Sequence, residues 1–108
     1  MTRLSTHVLD VERGVPASGV LISLYRGEQL LAHAKTEADG RIGDVAGGSV
    51  EPGIYRLVFD IAAYFATEQR AAPFLQRVSI EFQVNVADNH CHVPLLLSPY
   101  ACTSYRGS

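Results

Sequence analysis

A surplus of basic residues is missing from this chain. Nine Lys+Arg stand against eleven Asp+Glu in 108 residues, a formal net charge of −2. A nucleic-acid binder shows a basic stripe and a membrane-surface protein a polybasic cluster, so neither class is expected. Long apolar runs are missing too: none approaches the ~18 residues that a transmembrane helix needs. Met1-Thr2-Arg3-Leu4-Ser5-Thr6-His7 has no basic region followed by an apolar stretch, so no signal peptide and a cytoplasmic location are expected. Cysteine is scarce. Cys91 and Cys102 carry no CxxC or paired zinc spacing and are expected as free thiols in a reducing compartment. Repeats, linkers and low-complexity segments are absent, as are a GxSxG elbow and a phosphate loop around Gly47-Gly48.

What is present is an ordinary globular composition, 47% hydrophobic, in a length that suits one domain over 1–108. Strand periodicity dominates. From Val78 to Val86 apolar and polar residues alternate without a break, which predicts a half-buried antiparallel strand. Leu4–Val11, Val20–Tyr25, Gln29–Thr36 and Ile54–Phe59 are further strands, the last after the Pro52-Gly53 turn. One short helix is expected after Asp60, which can cap it, with Ile61, Tyr64 and Phe65 on one face and its end near Gln69. Seven or eight short strands and one helix make an all-β fold, a two-sheet antiparallel sandwich.

The segment Cys91–Ser98 is unusual for a strand. Val93, Leu95 and Leu97 belong in the core, which turns His92 outward beside Leu96, onto a surface that a ligand or another subunit covers. Pro94 cannot donate to a ladder, so its position faces an edge or an irregularity. If the chain reverses at Ser98-Pro99-Tyr100, His92 lies opposite Tyr105 to Gly107, and a terminal carboxylate nearby would raise its pKa. Taken singly, the polar candidates are ordinary. His7 is a mid-strand residue, His33 faces solvent, and Arg41 is a turn charge after Asp39-Gly40. His90 and His92 form an HxH pair, but spacing fixes no third ligand, and no metal is expected.

Their order along the chain is more specific. Leu4-Ser5-Thr6-His7-Val8-Leu9-Asp10 with Gly14-Val15-Pro16-Ala17 resembles the opening of the 5-hydroxyisourate hydrolases, the transthyretin-like enzymes. Thr36-Glu37-Ala38-Asp39-Gly40-Arg41 is similar to their arginine-bearing turn, and His90 to Pro99 to their penultimate strand. Tyr105-Arg106-Gly107-Ser108 matches the C-terminal tetrapeptide that separates these enzymes from hormone-carrying transthyretins. Leu75-Gln76, Ala101-Cys102-Thr103-Ser104 and Cys91 depart from the family pattern, at packing positions and at the rim of the last hairpin.

The resemblance implies a transthyretin-like sandwich of two four-stranded sheets with one helix. It also implies a homotetramer, a dimer of dimers, with active sites in clefts between subunits. The implied reaction is hydrolysis of 5-hydroxyisourate to 2-oxo-4-hydroxy-4-carboxy-5-ureidoimidazoline in urate degradation, with no metal or organic cofactor. His7, Arg41, His92 and Ser108 are the implied catalytic residues, and His7, Arg41, Tyr105 and Arg106 the implied substrate contacts. The chemistry suits them. Histidine activates water or relays its proton near neutral pH, and either His7 or His92 can be the base. Arg41 is planar and permanently charged and can hold a carbonyl edge of a urate-like ring. Ser108 can orient a histidine. The alternatives are a carrier of a small aromatic ligand in an inter-subunit channel and a secreted immunoglobulin-like module. The carrier would not require Arg41, His92 and the tetrapeptide together. The module would carry a signal peptide or an inter-sheet disulfide.

Overall fold

Alternating side chains need two apolar faces packed together, and the chain supplies them as two stacked sheets. The computed structural model describes residues 1–108. In chain order it forms β1 (Arg3–Asp10), β2 (Val15–Pro16), β3 (Leu21–Arg26), β4 (Gln29–Lys35) and β5 (Arg41–Ile42). Then come β6 (Gly53–Asp60), α1 (Ile61–Thr67), β7 (Arg77–Val84), β8 (His90–Leu97) and β9 (Cys102–Ser104). One sheet has the order β4-β3-β6-β7. The other runs β2-β1-β8-β9, with β5 also paired to β1. β2 meets β1 at Leu9 and Asp10, and β5 meets it at Thr6 and His7, so two short strands share the one edge left by β8. The sheet is therefore four strands wide, the width that the family resemblance implies.

The core lies between the sheets. Ile22 and Leu24 of β3, Tyr55, Leu57 and Phe59 of β6, and Val93, Leu95 and Leu97 of β8 are all buried in one cluster with Leu4 and Val8. These are the inward faces that period-two reading selects. Cys91 is buried in the same cluster, and both thiols are free. The helix is also as expected. Asp60 accepts the Ala63 N–H at 3.1 Å, and Ile61, Tyr64 and Phe65 are its buried residues. It stops at Thr67, and Gln69 turns the chain with a φ of 56°.

Two features differ from the sequence expectation. The alternating run ends at Val84, and Val86 is exposed, because Asp88 Oδ2 accepts the Asn85 N–H at 2.8 Å and bends the chain into a turn. More important, β1 and β8 pair in parallel, Arg3 beside His90 through Asp10 beside Leu97. The two sheets are otherwise antiparallel. A period of two is the same in both kinds of ladder, and these strands lie almost the whole chain apart, so no local pattern announces the pairing.

Asp10, at the end of β1, is fully buried. It accepts from the Tyr64 hydroxyl at 2.8 Å, the Arg13 N–H at 3.1 Å and the Arg70 guanidinium, which also pairs with Glu12 and Glu68 and lies over the Phe65 ring. Burial alone would raise the Asp10 carboxyl, but hydrogen bonds from Arg70, Tyr64 and Arg13 outweigh it and hold it below its ordinary value. This network ties the segment after α1 to the first strand.

Candidate active site

The parallel register of β1 and β8 builds the site. Since Leu4 and Val8 of β1, and Val93 and Leu95 of β8, face the core, their neighbours Ser5, His7 and His92 face outward. Register places Arg3 beside His90, Ser5 beside His92 and His7 beside Pro94. On the other side of β1, Arg41 of β5 pairs with His7.

The turn that presents Arg41 depends on its glycine. Gly40 has φ +78°, and a Cβ there would lie 2.5 Å from the Val8 carbonyl oxygen. That close approach lets the Gly40 carbonyl accept the Val8 N–H at 2.8 Å. Asp39 Oδ1 accepts the Arg41 N–H at 3.0 Å and closes the turn. The tail is docked at the other end of the site. β9 pairs with β8 only from Leu97 to Leu95, and the ladder resumes where the Gly107 N–H donates to the His92 carbonyl at 2.8 Å. Pro94 sits in the interruption, and the Ser104 hydroxyl donates to its carbonyl at 2.8 Å. The irregularity expected at Pro94 and the hairpin estimate for His92 both hold.

An open cleft of about 440 Å³ lies over this face, lined by Arg3, Ser5, Thr6, Arg41, Ile42, Gly43, Asn89, His90, His92 and Ser108. Of the residues expected from sequence, Arg41, His92 and Ser108 meet here. His7 is on the same face, half-buried between Arg41 and Pro94, but does not line the cleft. Tyr105 and Arg106 line an adjoining cavity of about 360 Å³ with Ile80, Phe82, Cys91 and Val93, and His92 borders both spaces. Arg106 is held by Asp88 at 3.0 Å. Sequence reasoning missed Arg3, Ser5 and Asn89. For Arg3 and Ser5 the available signal was that they share the outward face of His7 at period two.

The charged side chains of the cleft are cationic. Arg3 and Arg41 line it, and no Asp or Glu side chain does. Such a site favours carbonyl and anionic edges of a ligand. His92 is pushed below the ordinary histidine value, first by burial and then by the electrostatic influence of His90, Arg41 and His7, against a smaller opposing effect of Ser5. This direction is opposite to the rise expected from a neighbouring carboxylate. The side chains that oppose a positive charge on the ring come from β1, β5 and β8, and the tail sets Gly107 against it. A half-buried imidazole held neutral is suited to taking a proton. His90 and His92 are joined by the Ser5 hydroxyl, 2.7 Å from His90 Nε2 and 2.8 Å from His92 Nδ1, and no third His, Cys, Asp or Glu joins them in a metal-holding group.

A transthyretin-like sandwich with a cationic, histidine-bearing cleft on one outer sheet face defines the class. The chain belongs to the HIUase/Transthyretin family, whose model matches residues 4–107. The 5-hydroxyisourate hydrolase of Caulobacter vibrioides is 46% identical to it, over 100% of both chains. Among solved structures, the Klebsiella pneumoniae 5-hydroxyisourate hydrolase superposes with a TM-score of 0.92 at 38% identity, over 100% of both chains. Sea bream transthyretin in complex with thyroxine superposes with a TM-score of 0.88 at 25% identity, over 97% of this chain and 94% of that one. No helix is long and apolar enough to cross a membrane.

Proposed function

We propose that this chain is a 5-hydroxyisourate hydrolase of urate degradation, acting as a single domain over 1–108. The observation that carries the reading is a neutral, outward-facing imidazole at a cleft lined by two guanidinium groups, in a chain that hydrolases match from end to end. Water adds to the ring acyl carbon, the C–N bond breaks, and the proton lost by water goes to the leaving nitrogen. His92 takes that proton first, since its depressed pKa keeps it unprotonated near neutral pH. Arg41 holds the carbonyl oxygen as negative charge develops on it. His7, next to Arg41 on the same face but outside the lining of the single-chain cleft, meets the substrate in the inter-subunit cleft of the assembled tetramer, and Ser108 orients the histidine side. Tyr105 and Arg106 close the substrate space from the adjoining cavity.

The same reading includes a cytoplasmic homotetramer, a dimer of dimers. Its support is the half-buried apolar pair Leu9 and Leu96, adjacent in register on the outer face beyond the histidines. Light scattering should give four times the 11.7 kDa chain mass. The activity test is stopped-flow decay of 5-hydroxyisourate made in situ from urate. Decay well above the spontaneous rate is expected. Decay at the spontaneous rate, with tight binding of an aromatic ligand instead, would make the protein a carrier.

A further inference from the structure

We propose that Ser5 and His90 are positioning residues that set the tautomer of His92 and carry its proton to the solvent-facing side of the cleft. The proposal rests on the hydrolase reading above. Its geometry is a single hydroxyl between two imidazoles, Ser5 Oγ lying 2.7 Å from His90 Nε2 and 2.8 Å from His92 Nδ1. The rings are roughly parallel, at 25°, with centroids 6.1 Å apart.

A serine hydroxyl has one proton. Of its two nitrogen neighbours it donates to one, and the other must be an N–H donor for both bonds to exist. In the proposed resting state His92 Nδ1–H donates to Ser5, and Ser5 donates to His90 Nε2. That leaves His92 Nε2 as the bare nitrogen of a working base. The mirror arrangement, His90 Nε2–H to Ser5 and Ser5 to His92 Nδ1, also keeps both bonds of the buried Ser5 hydroxyl, but it puts the proton on His92 Nε2 and is the state that follows proton uptake.

The same chain moves charge. As His92 Nε2 takes a proton from water, its Nδ1 proton passes to Ser5 and the Ser5 hydroxyl proton passes to His90 Nε2. One proton leaves water and one arrives at His90, while His92 ends neutral. The reverse shift returns the proton to the leaving nitrogen. The direction follows from solvation and charge. His92 is half-buried and faces Ser5 and His7 of β1, Arg41 of β5, His90 of its own strand, and Gly107 of the tail. His90 is exposed, and water can solvate its cation.

The test has a part that needs no substrate. In the protein labelled with ¹⁵N-histidine, NMR at neutral pH should show His92 protonated at Nδ1 alone. Ser5→Ala should mix the two tautomers, and Ser5→Thr should restore the single one. In the hydrolysis assay, Ser5→Ala and His90→Gln should each lower kcat by about 10-fold, the low end of what an outer partner of a working histidine contributes. KM should change little, and Ser5→Thr should recover kcat. His90→Gln changes an exposed side chain, so it tests the relay even if Ser5→Ala fails to fold. An Nε2-protonated His92 in the wild type, or wild-type kcat in His90→Gln, overturns the proposal. Wild-type protein without hydrolysis above the spontaneous rate overturns the hydrolase reading instead, and leaves the tautomer result standing by itself.

Discussion

Gly107 lies directly against the ring of His92. Its N–H donates to the His92 carbonyl at 2.8 Å, and a Cβ at this position would fall onto the imidazole. The residue opposite the candidate base must therefore have no side chain. Gly107→Ala should displace the ring while leaving the core intact. Since misplacing a reacting group by ~1 Å can cost 10²-fold, kcat/KM should fall on that order with little change in melting temperature. Deleting Tyr105–Ser108 should remove most activity for the same reason, since the tail holds His92 but adds no buried core side chain. Full activity in both variants would separate the tail from the chemistry.

His92→Asn keeps a polar side chain and removes the base. Turnover should drop by roughly 10²-fold or more, the usual contribution of a positioned acid–base group. Arg41→Lys should also be costly, because a point charge does not reproduce the planar fork of a guanidinium. The measurement is steady-state hydrolysis with assembly checked in parallel. Wild-type kinetics in Arg41→Lys would reduce Arg41 to a turn charge.

The depressed pKa of His92 has two consequences with pH. The neutral base persists below the ordinary histidine value of 6.5, so the acidic limb of kcat/KM should lie below that value. For stability the sign follows from linkage. As pH drops past the ordinary value, the unfolded chain takes up this proton first, so His92 stabilises the fold above 6.5, and that contribution is lost as pH falls through its folded-state value. Arg41→Gln removes one of the cations acting on the ring and should move the acidic limb upward. A limb that stays in place would remove Arg41 from the causes of the shift.

Away from the cleft, Arg70 is the main partner of the fully buried Asp10 carboxylate. Arg70→Met should leave that charge with only the Tyr64 hydroxyl and the Arg13 N–H. Breaking a buried pair from one side typically costs about 3–5 kcal/mol, and urea unfolding should register a loss on that scale. Adding Asp10→Asn should recover part of it, because the orphaned charge is then gone. Independent, additive losses would mean that the two groups are not coupled.

Much of this protein was legible in its sequence because the relevant physics is local. Alternation placed Tyr55, Leu57, Phe59, Val93, Leu95 and Leu97 inside and turned His92 out, since successive strand side chains point to opposite faces. Asp60 announced the helix start because a carboxylate can accept the first free N–H groups. Even the approach of the tail to His92 followed from counting back across one turn. The tertiary structure alone decided what lies beside what over long separations. The pairing of β1 with β8, its parallel direction and its register place Ser5 between His90 and His92 and bring Arg3 into the cleft. The sign of the His92 shift was decided there too. It depends on burial and on basic side chains gathered from three strands, and no spacing along the chain encodes that sum.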